Sequence, residues 1–226
     1  MFSRYAVYYT PAPSSALAQF GARWLGWDSS TGQALPALKA PAVDVPSITQ
    51  TPRKYGFHGT IKPPFRLAPG TNAKELENRL NKVCSTQAAV TLSGLKLQRL
   101  GGFLALVPDG AADDLAQLAA HIVQSLDDFR APPSDAELAK RRARSLTPKQ
   151  DEYLRRWGYP YVMEEFRFHM TLSGQLTQDD LEAAEMALTE LLQNVPLSPF
   201  EVDALTLLGE AEDGRFHQLH RFALTG

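Results

Sequence analysis

Cysteine is nearly absent from this 226-residue sequence. Cys84 stands alone, so no internal disulfide can form, and zinc ribbons and paired-cysteine redox chemistry are excluded. A chain of this length buries roughly 70% of the surface its unfolded form exposes and needs no such staple. An excess of positive charge is lacking too: 23 Lys and Arg stand against 25 Asp and Glu, a net charge of -2. That balance removes the general phosphate attraction on which binders of long RNA or DNA depend. No run approaches the roughly eighteen apolar residues of a membrane span. Before Thr10-Pro11 the only apolar run is Ala6-Val7-Tyr8-Tyr9, too short for a signal-peptide core, so a cytoplasmic protein without a membrane partner is expected. Walker loop, dinucleotide fingerprint and Gly-x-Ser-x-Gly elbow are missing as well, which leaves kinase, dehydrogenase and serine esterase readings without a motif.

What is present alternates between strand and helix signals. Arg4 to Thr10 predicts a strand, followed by a helix that Ser14 or Ser15 caps and Gly26 stops, with Leu17, Phe20, Trp24 and Leu25 on one face. From Asp28 to Arg53 four prolines break every period and predict a long loop. Asn72 with Glu75 marks a capping box ahead of a second helix. Val90 to Leu100 and Phe103 to Val107 predict strands turning at Gly101-Gly102. A third helix carries Leu115, Leu118, Ala119, Ile122 and Leu126. Ser134 with Glu137, then Thr147-Pro148 with Gln150, predict a helical hairpin over 134–157. Phe166 to Ser173 alternates cleanly as a half-buried strand, Thr177 with Asp180 caps another helix, and strands over 200–208 and 215–224 turn at Asp213-Gly214.

One order recurs. A strand with His-x-Thr, a helix and two strands joined by a Gly-containing turn occur at 54–107 and again at 166–224. The expected fold is therefore α+β, a duplicated two-lobed domain over 1–226. Two antiparallel-rich sheets should face a central cleft with helices outside. Lobe 1 should span about 1–110 with His58 and Thr60. Lobe 2 should span about 111–226 with His169, Thr171 and the hairpin.

Alternate strand residues share a face, so His58, Thr60 and Lys62 point one way and Phe57, Gly59 and Ile61 the other. In the second copy His169, Thr171, Arg167 and Ser173 share a face, opposed by apolar Phe166, Phe168, Met170 and Leu172. In-line attack on a phosphodiester needs a base for water and an acid for the departing oxygen on opposite sides of phosphorus. Two imidazoles with pKa near 6.5 supply both without a metal or cofactor. Threonine hydroxyls can hold the non-bridging oxygens.

Phe57-His58-Gly59-Thr60-Ile61 and Phe168-His169-Met170-Thr171-Leu172 resemble the paired His-x-Thr/Ser motifs of the 2H phosphoesterase superfamily, a duplicated α+β fold. The segments 52–58, Lys62 to Leu67, Phe129-Arg130-Ala131-Pro132 and Trp157 to Tyr161 look like a bacterial subfamily linked with phosphonate-degradation genes. The resemblance implies metal-independent action on a cyclic phosphate, with His58 and His169 as the acid/base pair and Thr60 and Thr171 as phosphate ligands. By analogy the substrate is a small phosphorylated sugar such as 5-phosphoribosyl 1,2-cyclic phosphate. An RNA-end enzyme for 2',3'-cyclic or 2'-5' phosphodiesters stays open as an alternative. So does a non-catalytic binder of phosphorylated metabolites.

Among further candidates, Lys62 and Arg167 lie on the motif faces by parity and could bind a second phosphate, although charges at strand ends are more often solvated. Arg130, Lys140, Arg141, Arg142 and Arg144, then Lys149, Arg155 and Arg156, form a basic run; Arg130 and Arg141 are the phosphate-clamp candidates. Tyr55, Trp157, Tyr159 and Tyr161 could stack on a sugar or base or simply anchor loops, with Tyr55 the substrate-binding candidate. His217 and His220, three apart, should lie on opposite strand faces and make no metal pair. His121 is expected to be structural.

Overall fold

In chain order the secondary structure runs β1 (Tyr5–Tyr9), α1 (Ala16–Leu25), β2 (Trp27–Asp28), β3 (Gln33–Ala34), α2 (Val45–Ile48), α3 (Gln50–Arg53), β4 (Gly59–Phe65) and α4 (Ala73–Cys84). It continues through β5 (Val90–Leu92), β6 (Leu95–Leu100), β7 (Phe103–Pro108), α5 (Asp113–Ser125), α6 (Asp135–Arg142) and α7 (Pro148–Trp157). Then follow β8 (Met170–Thr171), α8 (Gln178–Leu192), β9 (Phe200–Val202), β10 (Ala204–Glu210) and β11 (Phe216–Ala223). These elements belong to a computed structural model that describes residues 2–143 and 145–226.

The helix ends lie where short-range chemistry places them. Ser15 caps α1 and Gly26 closes it at φ 71, a left-handed turn that glycine adopts without penalty. Asn72 with Glu75, Ser134 with Glu137 and Thr147 with Gln150 form complete capping boxes, so α4 and the α6–α7 hairpin begin as expected. Arg144, part of the basic run, lies outside the described residues.

Seven strands pair antiparallel in the order β11-β10-β1-β4-β8-β7-β6, with β5 and β9 forming a separate pair. Helices α1, α4, α5 and α8 bury their apolar stripes on one face of this sheet, against Val7, Ile61, Leu106, Met170 and Leu207. Each fully buried leucine or isoleucine in that layer contributes about 1.5–3 kcal/mol. Trp24 of α1, wholly buried, also donates its indole N–H to the Leu172 carbonyl at 2.7 Å. On the other face Ala6, Tyr8, Leu208 and Phe216 form a small second cluster with Tyr55 beside it.

The α+β class, the antiparallel sheet and the helix layer match the expectation. The arrangement differs in that β4 and β8 pair directly, so the two half-sheets are continuous. Nor does a boundary near residue 110 divide them: β10 and β11 extend the β4–β1 arm, while β6 and β7 extend the β8 arm. Each arm completes its edge with strands from the other half of the chain, a choice between distant partners that no local pattern encodes.

The segment 28–53 is not structureless. It holds the β2–β3 hairpin and two single-turn helices, α2 and α3. Arg53 clips it to α1, donating to the Leu25 carbonyl at 2.6 Å, the Pro46 carbonyl at 2.7 Å and Thr49 Oγ1 at 2.8 Å. No helix among the described residues is long and apolar enough to cross a membrane.

Candidate active site

Where β4 meets β8, Gly59 pairs antiparallel with Met170, the middle residues of the two His-x-Thr motifs. This register sets His58 opposite Thr171 and Thr60 opposite His169. Rotation about the pair exchanges one motif with the other. Met170 is fully buried on the helix face, and Phe168 lies so close to Gly59 that a Cβ there would come within 2.3 Å of its ring. The four flanking side chains, all half-buried, therefore share the opposite face.

Both imidazoles are held the same way. Nδ1 of His58 lies 2.8 Å from the Gly56 carbonyl, and Nδ1 of His169 lies 2.9 Å from the Arg167 carbonyl. A carbonyl only accepts, so each Nδ1 carries a proton and each Nε2 is left for chemistry. Thr60 Oγ1 is 3.2 Å from His58 Nε2 and donates to it.

Their surroundings differ. Tyr8, the β1 partner of Thr60, stacks on His58 with ring centroids 3.8 Å apart. The β7 partner of Thr171 is Ala105, and the aromatic beside His169 is Phe103, tilted and 6.1 Å away. Burial, reinforced by the nearby His169 and opposed by the bond to Gly56, pushes the His58 pKa down to about 4. His58 is thereby held neutral at neutral pH.

Parity misplaces Lys62. The β1–β4 register shifts between Tyr8↔Thr60 and Val7↔Lys62, inserting a residue that turns Lys62 to the side of Val7, in the helix-covered core. There Lys62 is fully buried, donates to the Val123 carbonyl at 3.1 Å and lies 3.7 Å from Asp127. Burial pushes its pKa down to about 8 against the pull of Asp127. It braces β4 against α5 and does not reach the motif face.

Arg167 is exposed and turns back on its own backbone, donating to the Glu164 and Phe166 carbonyls. Ser173 is buried, accepting from the Leu104 N–H and donating to the Gly174 carbonyl. Only Met170 and Thr171 of the expected strand pair as a strand.

Tyr55, Arg130 and Arg141 do come together, lining one cleft of about 440 Å³. The Tyr55 ring is 5.9 Å from that of His58, so the cleft opens beside the motifs. Arg130 is held within it by a two-pronged pair with Asp127 at 2.8 and 3.1 Å. Arg141 lies over the Tyr159 ring at 4.6 Å. Of the other candidates, Trp157 packs beside Tyr153 under α5, and Tyr161 is exposed.

Four neighbours escaped the sequence reading: Tyr8, Lys54, Arg66 and Arg4. Lys54 precedes Tyr55 in the same motif and could have been suspected. Tyr8 and Arg4 looked like ordinary β1 residues, and only strand order brings them here. His217 and His220 correct the parity argument a second time. A register shift in β10–β11 sets them opposite Gly209 and Leu207, on one face rather than two. His217 packs edge-on against Trp27, and His220 lies 3.9 Å from Glu77. His121 is on the exposed side of α5, 3.4 Å from Ser125.

The chain is 37% identical over 235 residues to ribose 1,5-bisphosphate phosphokinase PhnN of Janthinobacterium sp. (strain Marseille), covering 99% of this chain and 51% of that protein. It is 34% identical over 220 residues to the protein of the same name from Laribacter hongkongensis (strain HLHK9), covering 96% and 51%. The chain thus spans about half the length of the curated relatives it matches. Among solved structures it is similar to E. coli LigT complexed with phosphate, at 14% identity and a TM-score of 0.46 over 100% of this chain and 99% of that one. TT0787 of Thermus thermophilus gives 14% and 0.46 over 99% and 98%. A family model matches residues 60–217, most of the sheet and the second motif included. The chain belongs to the family described as Protein of unknown function (DUF1045).

Proposed function

We propose that the chain is a phosphodiesterase that hydrolyses a small cyclic phosphate with two histidines as base and acid. The observation that carries this reading is the Gly59–Met170 register, which gathers His58, Thr60, His169 and Thr171 on one sheet face about a local twofold. A phosphorus centred between the imidazoles is open to in-line attack. His58, held neutral, takes a proton from water on Nε2 as the water oxygen bonds to phosphorus. His169 gives its Nε2 proton to the ester oxygen as the phosphorus–oxygen bond breaks. Once substrate is bound, the Thr60 hydroxyl turns from His58 Nε2 to the phosphate, and Thr60 and Thr171 donate to the non-bridging oxygens, where negative charge accumulates.

For the substrate we infer 5-phosphoribosyl 1,2-cyclic phosphate. The name of the two curated relatives supports this: it specifies ribose 1,5-bisphosphate. Hydrolysis of the 1,2-cyclic ester with O2 leaving keeps the phosphate on O1 and yields that compound; departure of O1 yields the 2,5-isomer instead. A ring-opening unit joined to a kinase for its product would explain why the relatives are twice as long.

Phosphorus NMR of the purified chain in EDTA tests the reading. The panel is 5-phosphoribosyl 1,2-cyclic phosphate, 2',3'-cyclic nucleotides, ADP-ribose 1''-2''-cyclic phosphate and a 2'-5' dinucleotide. Loss of the first resonance with appearance of the 1,5-bisphosphate is expected. Turnover of the nucleotides alone supports the RNA-end alternative, and persistence of every resonance overturns the assignment.

A further inference from the structure

The cleft beside Tyr55 carries more positive charge than the protein itself neutralises. Arg4, Lys54, Arg66, Arg130, Lys140 and Arg141 line it, against one lining carboxylate, Glu137. Three of these cations are already paired. Arg4 grips Glu210 through two bonds of 2.5 Å, Arg66 grips Glu137 at 2.6 and 3.0 Å, and Arg130 grips Asp127. Among the described residues, Lys54, Lys140 and Arg141 have no carboxylate within ion-pair distance. Lys54 lies over the Tyr55 ring at 4.7 Å and Arg141 over the Tyr159 ring at 4.6 Å, contacts that orient the cations and leave N–H donors free.

Three like charges around one concavity repel, and the repulsion is relieved by an anion of matching charge and geometry. A phosphomonoester dianion supplies two charges and three acceptor oxygens, and a guanidinium edge fits two of those oxygens at once. The Tyr55 ring contacts both Lys54, at 4.7 Å, and His58, at 5.9 Å, so a single molecule can reach from the cleft to the motif face.

We propose that Lys54, Lys140 and Arg141 form a subsite for a terminal phosphomonoester, so that the substrate carries a second phosphate besides the reacting diester. This rests on the two-histidine phosphodiesterase reading. The subsite selects phosphorylated sugars, and Tyr55 is the wall along which the sugar lies.

The test compares 5-phosphoribosyl 1,2-cyclic phosphate with ribose 1,2-cyclic phosphate, which lacks the terminal group. In wild-type protein kcat/KM should favour the phosphorylated compound by about tenfold or more, chiefly through KM. In Lys54→Ala/Arg141→Ala, both exchanges being on the cleft surface, that preference should collapse toward one. Equal treatment of the two compounds by wild type, or an equal loss on both in the variant, overturns the proposal. Calorimetric titration with ribose 5-phosphate separates the subsite from the chemistry. Binding to wild type that is lost in the double variant upholds the subsite even if no cyclic phosphate turns over, and absence of binding to wild type rejects it.

Discussion

Tyr8 lies nearly face to face with His58, ring centroids 3.8 Å apart and planes 22° from parallel, and this stack breaks an otherwise twofold site. The position that stands to Thr171 as Tyr8 stands to Thr60 is Ala105. A ring in one place and a methyl group in the other give two histidines of equal backbone setting unequal access to water. In the proposed mechanism this difference is what separates the base from the acid.

Opening the stack should therefore move His58. Tyr8→Ala admits water and raises the His58 pKa from about 4 toward its ordinary value of 6.5, whereas Tyr8→Phe keeps the ring and the low value. NMR titration of the His58 ring protons reads this directly. The acid limb of the kcat/KM profile should move to higher pH in Tyr8→Ala alone; matching titrations in Tyr8→Ala and wild type would remove the stack as the cause.

The same depressed pKa predicts how stability depends on pH. Between pH 6.5 and about 4 the unfolded chain protonates this histidine and the folded chain does not. Folding stability contributed here is full above pH 6.5 and falls as pH drops, at up to about 1.4 kcal/mol per pH unit, a loss on the order of 3 kcal/mol by pH 4. In His58→Asn the unfolding free energy from urea titrations should fall less steeply over that window. An unchanged slope would show that other groups govern it.

Removing either imidazole should cost turnover without costing the fold. His58→Ala and His169→Ala are each expected to lower kcat about 10²- to 10⁴-fold, and the double variant by much less than the product of the two. Circular dichroism and thermal melts check folding. Near-wild-type turnover in either variant excludes the two-histidine mechanism.

Gly59 is required for space. A Cβ would sit 2.3 Å from the Phe168 ring on the helix face of the β4–β8 junction. Gly59→Ala should destabilise by about 1–3 kcal/mol, and Phe168→Leu in the same chain should recover part of that loss. A neutral Gly59→Ala would mean that the junction yields easily.

Lys62 should prove structural. Lys62→Met leaves Asp127 paired with Arg130, while Asp127→Ala strands the buried ammonium and frees Arg130. The second change should cost more, about 3 kcal/mol or above. Lys62→Met should leave KM near wild type, and a tenfold rise in KM would return Lys62 to the substrate-binding set.

The motifs and helix starts were legible in the linear sequence because their causes are local. A capping box spans four residues, and a His-x-Thr pair needs only the pleat of its own strand; hence Asn72 with Glu75, Ser134 with Glu137 and the shared face of His58, Thr60, His169 and Thr171 read correctly. Parity failed at Lys62 and at His217 with His220 because bulges in β4 and β11 arise from how neighbouring strands twist together. Strand order, too, was settled only in three dimensions. It brought Tyr8 beneath His58, Arg4 into the basic cleft, and strands from both halves of the chain into each arm of the sheet. The sequence alone determined where the two His-x-Thr motifs lie and which of their residues share a face, through short-range hydrogen bonds and side-chain alternation. Tertiary packing alone decided what surrounds each of them, since burial and charge pairing depend on partners far away along the chain.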